Sequence, residues 1–167
     1  MKIMAATRLM AAVSVAAAGL SFPTLAADGA WEANYACQIT SPERAGAPRV
    51  NLLATRKGDV GGDMSSAARF RLFNIDKLSD EDGASFPDTA VEIAGFAVWT
   101  GLKATGKQEK SGYALYIPLP DIEKVVGPME GGRVLRITVQ AKDGPVTFEV
   151  DLTGSARAVA SFRVCST

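Results

Sequence analysis

The chain has 167 residues, with 18 Lys and Arg balanced by 18 Asp and Glu, and it contains no histidine. A balanced charge argues against a nucleic-acid partner, which would need a basic excess. The missing histidine removes Ser-His-Asp and Cys-His catalysis and the usual zinc and copper sites.

The chain begins with a leader pattern. Lys2 and Arg8 form a positive start, Met10 to Leu20 is an apolar run, and Thr24-Leu25-Ala26 places small residues where a signal peptidase reads. This predicts a signal peptide over residues 1–26, cut after Ala26, and a single β-rich domain over 27–167 in the periplasm or outside the cell. The leader is short for a membrane span, and no later segment reaches that length. Lys2 and Arg8 go with the leader, so the remainder carries a net charge of about −2.

Trp31, Ala33, Tyr35, Cys37 and Ile39 alternate with polar or small residues and predict a first strand with Cys37 on its apolar face. Thr40 to Pro48 reads as a loop, and Arg49 to Thr55 as a second strand. Lys57 to Ser66 is a connection. Its Gly61-Gly62 lacks the Lys-Ser/Thr ending of a phosphate loop and is read as a turn. Ala68 to Ile75 is a third strand, with Phe70 and Leu72 on one face and Arg69, Arg71 and Phe73 on the other. Two arginines on one face can meet an anionic partner, or guard an edge against aggregation. Asp76 to Gly83 is acidic, but an EF-hand alignment fails at both ends, which leaves an exposed loop.

Val91 to Leu102 predicts one apolar strand, with Val91, Ile93, Ala97 and Trp99 on one face and Gly95 marking a bulge or close approach. Thr105 to Ser111 is a polar turn, and Gly112 to Leu119 pairs back as a strand. Tyr113 and Tyr116 fall on its opposite faces. Asp121 to Val126 predicts a short helix stopped by Gly127-Pro128.

The end of the chain is the clearest part. Leu135, Ile137 and Val139 alternate with Arg136, Thr138 and Gln140; Val146, Phe148, Val150 and Leu152 alternate with Thr147, Glu149 and Asp151. This is an antiparallel pair with one apolar face, turned at Asp143-Gly144. The period then changes: Ala158, Val159, Phe162 and Cys165 share one side of a helix, with Thr153 or Ser155 as N-cap and Phe162 as anchor.

About seven strands and two helices predict a mainly β fold, an antiparallel β-sandwich or a partly open barrel with a short helix and a C-terminal helix. Two cysteines in an exported chain predict one disulfide, Cys37 to Cys165. Closing so long a loop removes roughly 4–5 kcal/mol of unfolded-state entropy in the chain-entropy model. No G-x-S-x-G occurs, and no carboxylate pair stands out from surface charge, so the chain reads as non-catalytic, with no cofactor and no metal. Trp99, Tyr113, Tyr116, Arg69 and Arg71 are the candidate binding residues. A pocket inside the β-structure, lined by Trp99, Phe96 and Tyr116, would instead make it a small-ligand binder.

Trp31 and Cys37, the segment PLPDIEKVV, the Gly-Gly-Arg-hydrophobic strand start and the ending FEVDLTGSARAVASFRVC resemble the invasion-associated locus B (IalB-like) proteins of alphaproteobacteria. The family often carries further cysteines in mid-domain; this chain has none. The resemblance implies a periplasmic or surface protein linked to host-cell interaction, with another envelope or host protein as partner. It brings no catalytic residues.

Overall fold

The computed structural model describes residues 30–34, 37–54, 68–119 and 122–166. The leader and the Lys57–Ser66 connection lie outside these residues. Nine strands run β1 Glu32–Asn34, β2 Gln38–Thr40, β3 Arg49–Leu53, β4 Arg69–Ile75, β5 Ser85–Ile93, β6 Ala97–Glu109, β7 Gly112–Pro118, β8 Val134–Ala141 and β9 Gly144–Asp151. Helix α1, Glu123–Gly131, joins β7 to β8, and α2, Ser155–Ser166, follows β9. The strands form one sheet in the order β1-β2-β3-β4-β7-β6-β5-β8-β9, every neighbouring pair antiparallel. The sheet curls into a half-barrel, so of the two expected architectures the partly open barrel is the one formed.

The period-two pattern determines what lies inside the curl. Val50 and Leu52, Phe70 and Leu72, Leu115 and Ile117, Val91 and Ile93, and Leu135, Ile137 and Val139 are all fully buried. Burying each such side chain contributes about 1.5–3 kcal/mol. Val125, Val126 and Met129 of α1 and Ala158, Val159 and Phe162 of α2 complete the core. Phe162 is the anchor expected of it. Ser155 is no side-chain cap: its buried hydroxyl donates to the Met129 carbonyl at 2.6 Å and ties α2 to α1. Helix α2 also packs against β1 and β2, so the end of the chain closes on its beginning.

Four elements differ from the expectations. The first strand is two short ones, because Cys37 takes φ 49° and turns the chain between β1 and β2. Cys37 is therefore in a turn, though still fully buried. Val91–Leu102 is the end of one strand and the start of another. Phe96 N–H donates to the Ile93 carbonyl at 2.9 Å across a turn in which Gly95 has φ 82°. This is a β-turn with the glycine at its third position, where positive φ is needed. Thr105–Glu109 is strand, paired residue for residue with Gly112–Tyr116. Helix α1 runs through Pro128 to Gly131, held by buried Val125, Val126 and Met129. Pro128 sacrifices one helical hydrogen bond, to the carbonyl of exposed Lys124.

Strands β5 and β6 carry two compensating bulges. Three residues from Phe86 to Thr89 oppose two from Ala104 to Leu102; two from Thr89 to Val91 then oppose three from Leu102 to Trp99. The extra residues coincide with Asp88 at φ 58° and Gly101 at φ 67°. Each bulge shifts the inward parity of its own strand. Together they keep Phe86 with Ala104, Thr89 with Leu102 and Val91 with Trp99 on the inner face. The buried Thr89 hydroxyl donates to the Phe86 carbonyl at 2.9 Å and braces the first bulge.

Candidate binding face

The outer face of β3, β4, β7 and β6 gathers the chain's most concentrated polar and aromatic cluster. Register sets its rows. Asn51 of β3 lies opposite Arg71 of β4, Arg71 opposite Tyr116 of β7, and Tyr116 opposite Thr105 of β6. In the next row Arg49, Phe73, Ala114 and Lys107 follow one another. Glu109 then lies opposite Gly112. The small Ala114 and Gly112 leave space on β7 for long neighbours to lean together.

Glu109 is the hub. Arg71 Nε donates to its Oε1 at 3.2 Å, Arg71 Nη2 donates to Oε2, and the Tyr116 hydroxyl donates to Oε1. The two parallel bonds are the bidentate fork that guanidinium and carboxylate favour. The side chains of Arg71 and Glu109 are only 17% and 22% exposed, which limits solvent screening of the pair.

The aromatic rings hold the other cations. The guanidinium of Arg71 lies 4.4 Å from the Phe73 centroid and that of Arg49 lies 5.2 Å from it. Arg69 at 6.0 Å and Lys107 at 5.7 Å approach the Tyr116 ring. Such contacts contribute about 0.5–1 kcal/mol at exposed sites and more where water is excluded. Arg49 also donates to the Ser41 carbonyl at 3.1 and 3.3 Å and to Glu43 at 3.1 Å.

The charge states follow from these contacts. The hydrogen bond from Arg71 holds the Glu109 carboxyl below the usual range, and Glu109 in turn raises Arg71. Burial, then the bond to Glu109, raises Tyr116. At neutral pH the trio is anion, cation and neutral phenol. This arrangement can hold a partner but offers no group poised to exchange a proton near neutrality.

Of the sequence candidates, Arg69, Arg71 and Tyr116 come together here. Tyr113 does not: it points into the curl and is 4% exposed. Trp99 lies on the inner face, paired with buried Val91 and packed against the core. Because Trp99 faces inward and Tyr116 outward, the expected pocket of Trp99, Phe96 and Tyr116 is not formed. Phe96 is 59% exposed, with its ring against Gly131. Arg49, Lys107 and Glu109 were not among the candidates. The signal for two of them was the alternation Lys103, Thr105, Lys107, Glu109, which continues a strand where polarity alone reads as a turn.

Among the described residues, no group of three or more Asp, Glu, Cys or His side chains could hold a metal ion, and no helix is long and apolar enough to cross a membrane. No free cysteine occurs among them. The Cys165 side chain lies outside the described residues.

The fold and this face define a curled antiparallel half-barrel, closed by two helices, that presents a cation-rich aromatic surface. Among solved structures the chain is similar to invasion associated protein B from Bartonella henselae. The identity is 13% and the TM-score 0.49, over 81% of this chain and 93% of that one. No protein-family model and no curated protein matches the chain.

Proposed function

We propose that the chain is an exported, non-catalytic envelope protein that acts as an interaction module, with the outer face of β3-β4-β7-β6 as its binding surface. One observation carries this reading: Arg49, Arg69, Arg71 and Lys107 cluster around Phe73 and Tyr116, on a chain whose charges otherwise balance. Glu109 and Glu43 offset only part of that charge. Cationic groups braced on aromatic rings favour an acidic partner, an envelope or host-surface component, and complementary charge sets recognition and association rate. The leader pattern supports export. A Cys37–Cys165 disulfide fits burial of Cys37 and the packing of α2 on β1 and β2.

The test is retention of the purified exported chain on immobilised heparin in a salt gradient. The expected result is retention above physiological salt, and earlier elution of Arg49→Gln with Lys107→Gln at unchanged melting temperature. Flow-through at low salt, or an unchanged profile in the double variant, would overturn the face assignment. Fractionation, with mass spectrometry of the new N-terminus and of the cysteine peptides, tests export and the disulfide.

A further inference from the structure

Tyr113 is unused by the outer face, and its position is costly. Its side chain is almost wholly buried, and its hydroxyl has no hydrogen-bond partner among the described residues. Leaving a buried hydroxyl unmet costs about 1–3 kcal/mol. Phenylalanine would fill the same space without that cost. The strand opposite is also shaped around the ring. A Cβ at Gly106 would lie 1.9 Å from Tyr113 Oη and 2.7 Å from Cζ. Gly106 is absent from the glycines with positive φ, so its backbone does not demand glycine. The glycine there is room for Tyr113.

The ring stands between two open clefts at the mouth of the half-barrel. Tyr113, Ile75, Phe148, Pro48, Asn74 and Asp76 help to line one of about 460 Å³. Phe86, whose ring edge is 3.0 Å from the same Gly106 Cβ position, lines the other together with Leu78. The first is of the size that takes small molecules, with apolar walls and few polar groups.

We infer that this mouth is a small-molecule site, in which the Tyr113 hydroxyl donates to an acceptor oxygen of a neutral ligand whose apolar body lies against Ile75 and Phe148. Neutrality follows from the surroundings: Asp76 lines the cleft, and the charge of Asp82 is felt at the phenol, so a carboxylate or phosphate would be repelled. The site is on the opposite side of the sheet from Arg71 and Tyr116, and substitutions on the outer face leave it intact.

The experiment titrates the full exported chain with acetophenone, which has one carbonyl on an apolar body, and with ethylbenzene as the matched molecule lacking the oxygen. Binding is followed by amide NMR shifts. The expected result is saturable shifts centred on Ile75, Tyr113 and Phe148, with acetophenone the tighter binder. Tyr113→Phe should weaken acetophenone about fivefold to tenfold and leave ethylbenzene unchanged. Absence of saturable shifts there, or equal acetophenone affinity in the variant, would overturn the site. Melting of the ligand-free proteins provides a second readout. Tyr113→Phe at least as stable as the parent supports an unmet hydroxyl; a clear loss would mean that a structural water satisfies it, and would overturn the inference.

Discussion

Tyr113 and Tyr116 stand three residues apart on one strand and meet opposite fates. Tyr116 turns outward, donates to Glu109 and carries cations on its ring. Tyr113 turns inward, displaces any side chain from Gly106 and leaves its hydroxyl unpaired among the described residues. Pleating alone separates them, since an odd spacing changes face. The same residue type is thus a satisfied part of a polar network on one side and an unmet polar group in an apolar setting on the other. A hydroxyl stabilises where its bond is made and penalises where it is not.

The largest expected effect comes from Gly106→Ala. The new methyl would overlap the Tyr113 ring, which neighbours Phe86 and cannot swing clear without repacking. Overpacking of this kind costs about 1–3 kcal/mol. Urea unfolding checks it, and Tyr113→Ala in the Gly106→Ala background should recover part of the loss relative to additivity. If the two changes simply add, Gly106 is not shaped by Tyr113.

Next comes Arg71→Ala, which strands a mostly covered Glu109 beside Tyr116. A loss of about 2 kcal/mol is expected, below the 3–5 kcal/mol of a fully buried pair because the site retains some solvent. Glu109→Gln should cost less, since the amide oxygen can still accept. A double-mutant cycle on Arg71 and Glu109 should give a coupling of about 1 kcal/mol or more; a coupling near zero would place the pair with ordinary surface ion pairs.

The tyrosines themselves give a smaller contrast with a difference in sign. Tyr116→Phe should destabilise by about 1 kcal/mol, the net worth of a hydrogen bond to a charged group reduced by exposure. Tyr113→Phe should be neutral or stabilising. Equal losses at both positions would erase the comparison.

How much of this was legible beforehand follows the same physics. The β8–β9 pair, the split of β4 into Phe70 and Leu72 against Arg69 and Arg71, and the opposite facing of the two tyrosines rest on period-two alternation, which is local. The β1–β2 turn rests on positive φ at Cys37, a conformation no residue type there announces. The first half of β5 contains Pro87 and Asp88, poor strand formers made acceptable by a bulge. The outer cluster was half visible. Arg69, Arg71 and Phe73 share a face by alternation, but Glu109 and Lys107 join them only through the pairing of β6 with β7, a long-range fact. The Tyr113–Gly106 fit is likewise a contact between strands, invisible in either strand alone.

A pH experiment gives the smallest effect and tests a third region, where the β2–β3 loop meets β9. Asp151 accepts from the Thr153 N–H at 2.8 Å and from Arg44 at 2.7 Å. Its bonds to Thr153, then Arg44, hold its carboxyl down to about 2. A carboxyl depressed in the folded state adds stability above its unfolded pKa, near 3.9, and that contribution fades as pH falls through the folded value. Asp151 is more than a third exposed, so screening keeps the effect modest. Asp151→Asn should therefore melt slightly below the parent at pH 6, and the gap should close between about pH 4 and pH 2. The clefts on either side of Pro48 border this contact, so acetophenone shifts at Ile75 and Phe148 should survive Asp151→Asn at pH 6. If they vanish, the Arg44–Asp151 bridge, rather than the walls around Tyr113, would be what holds the mouth in shape.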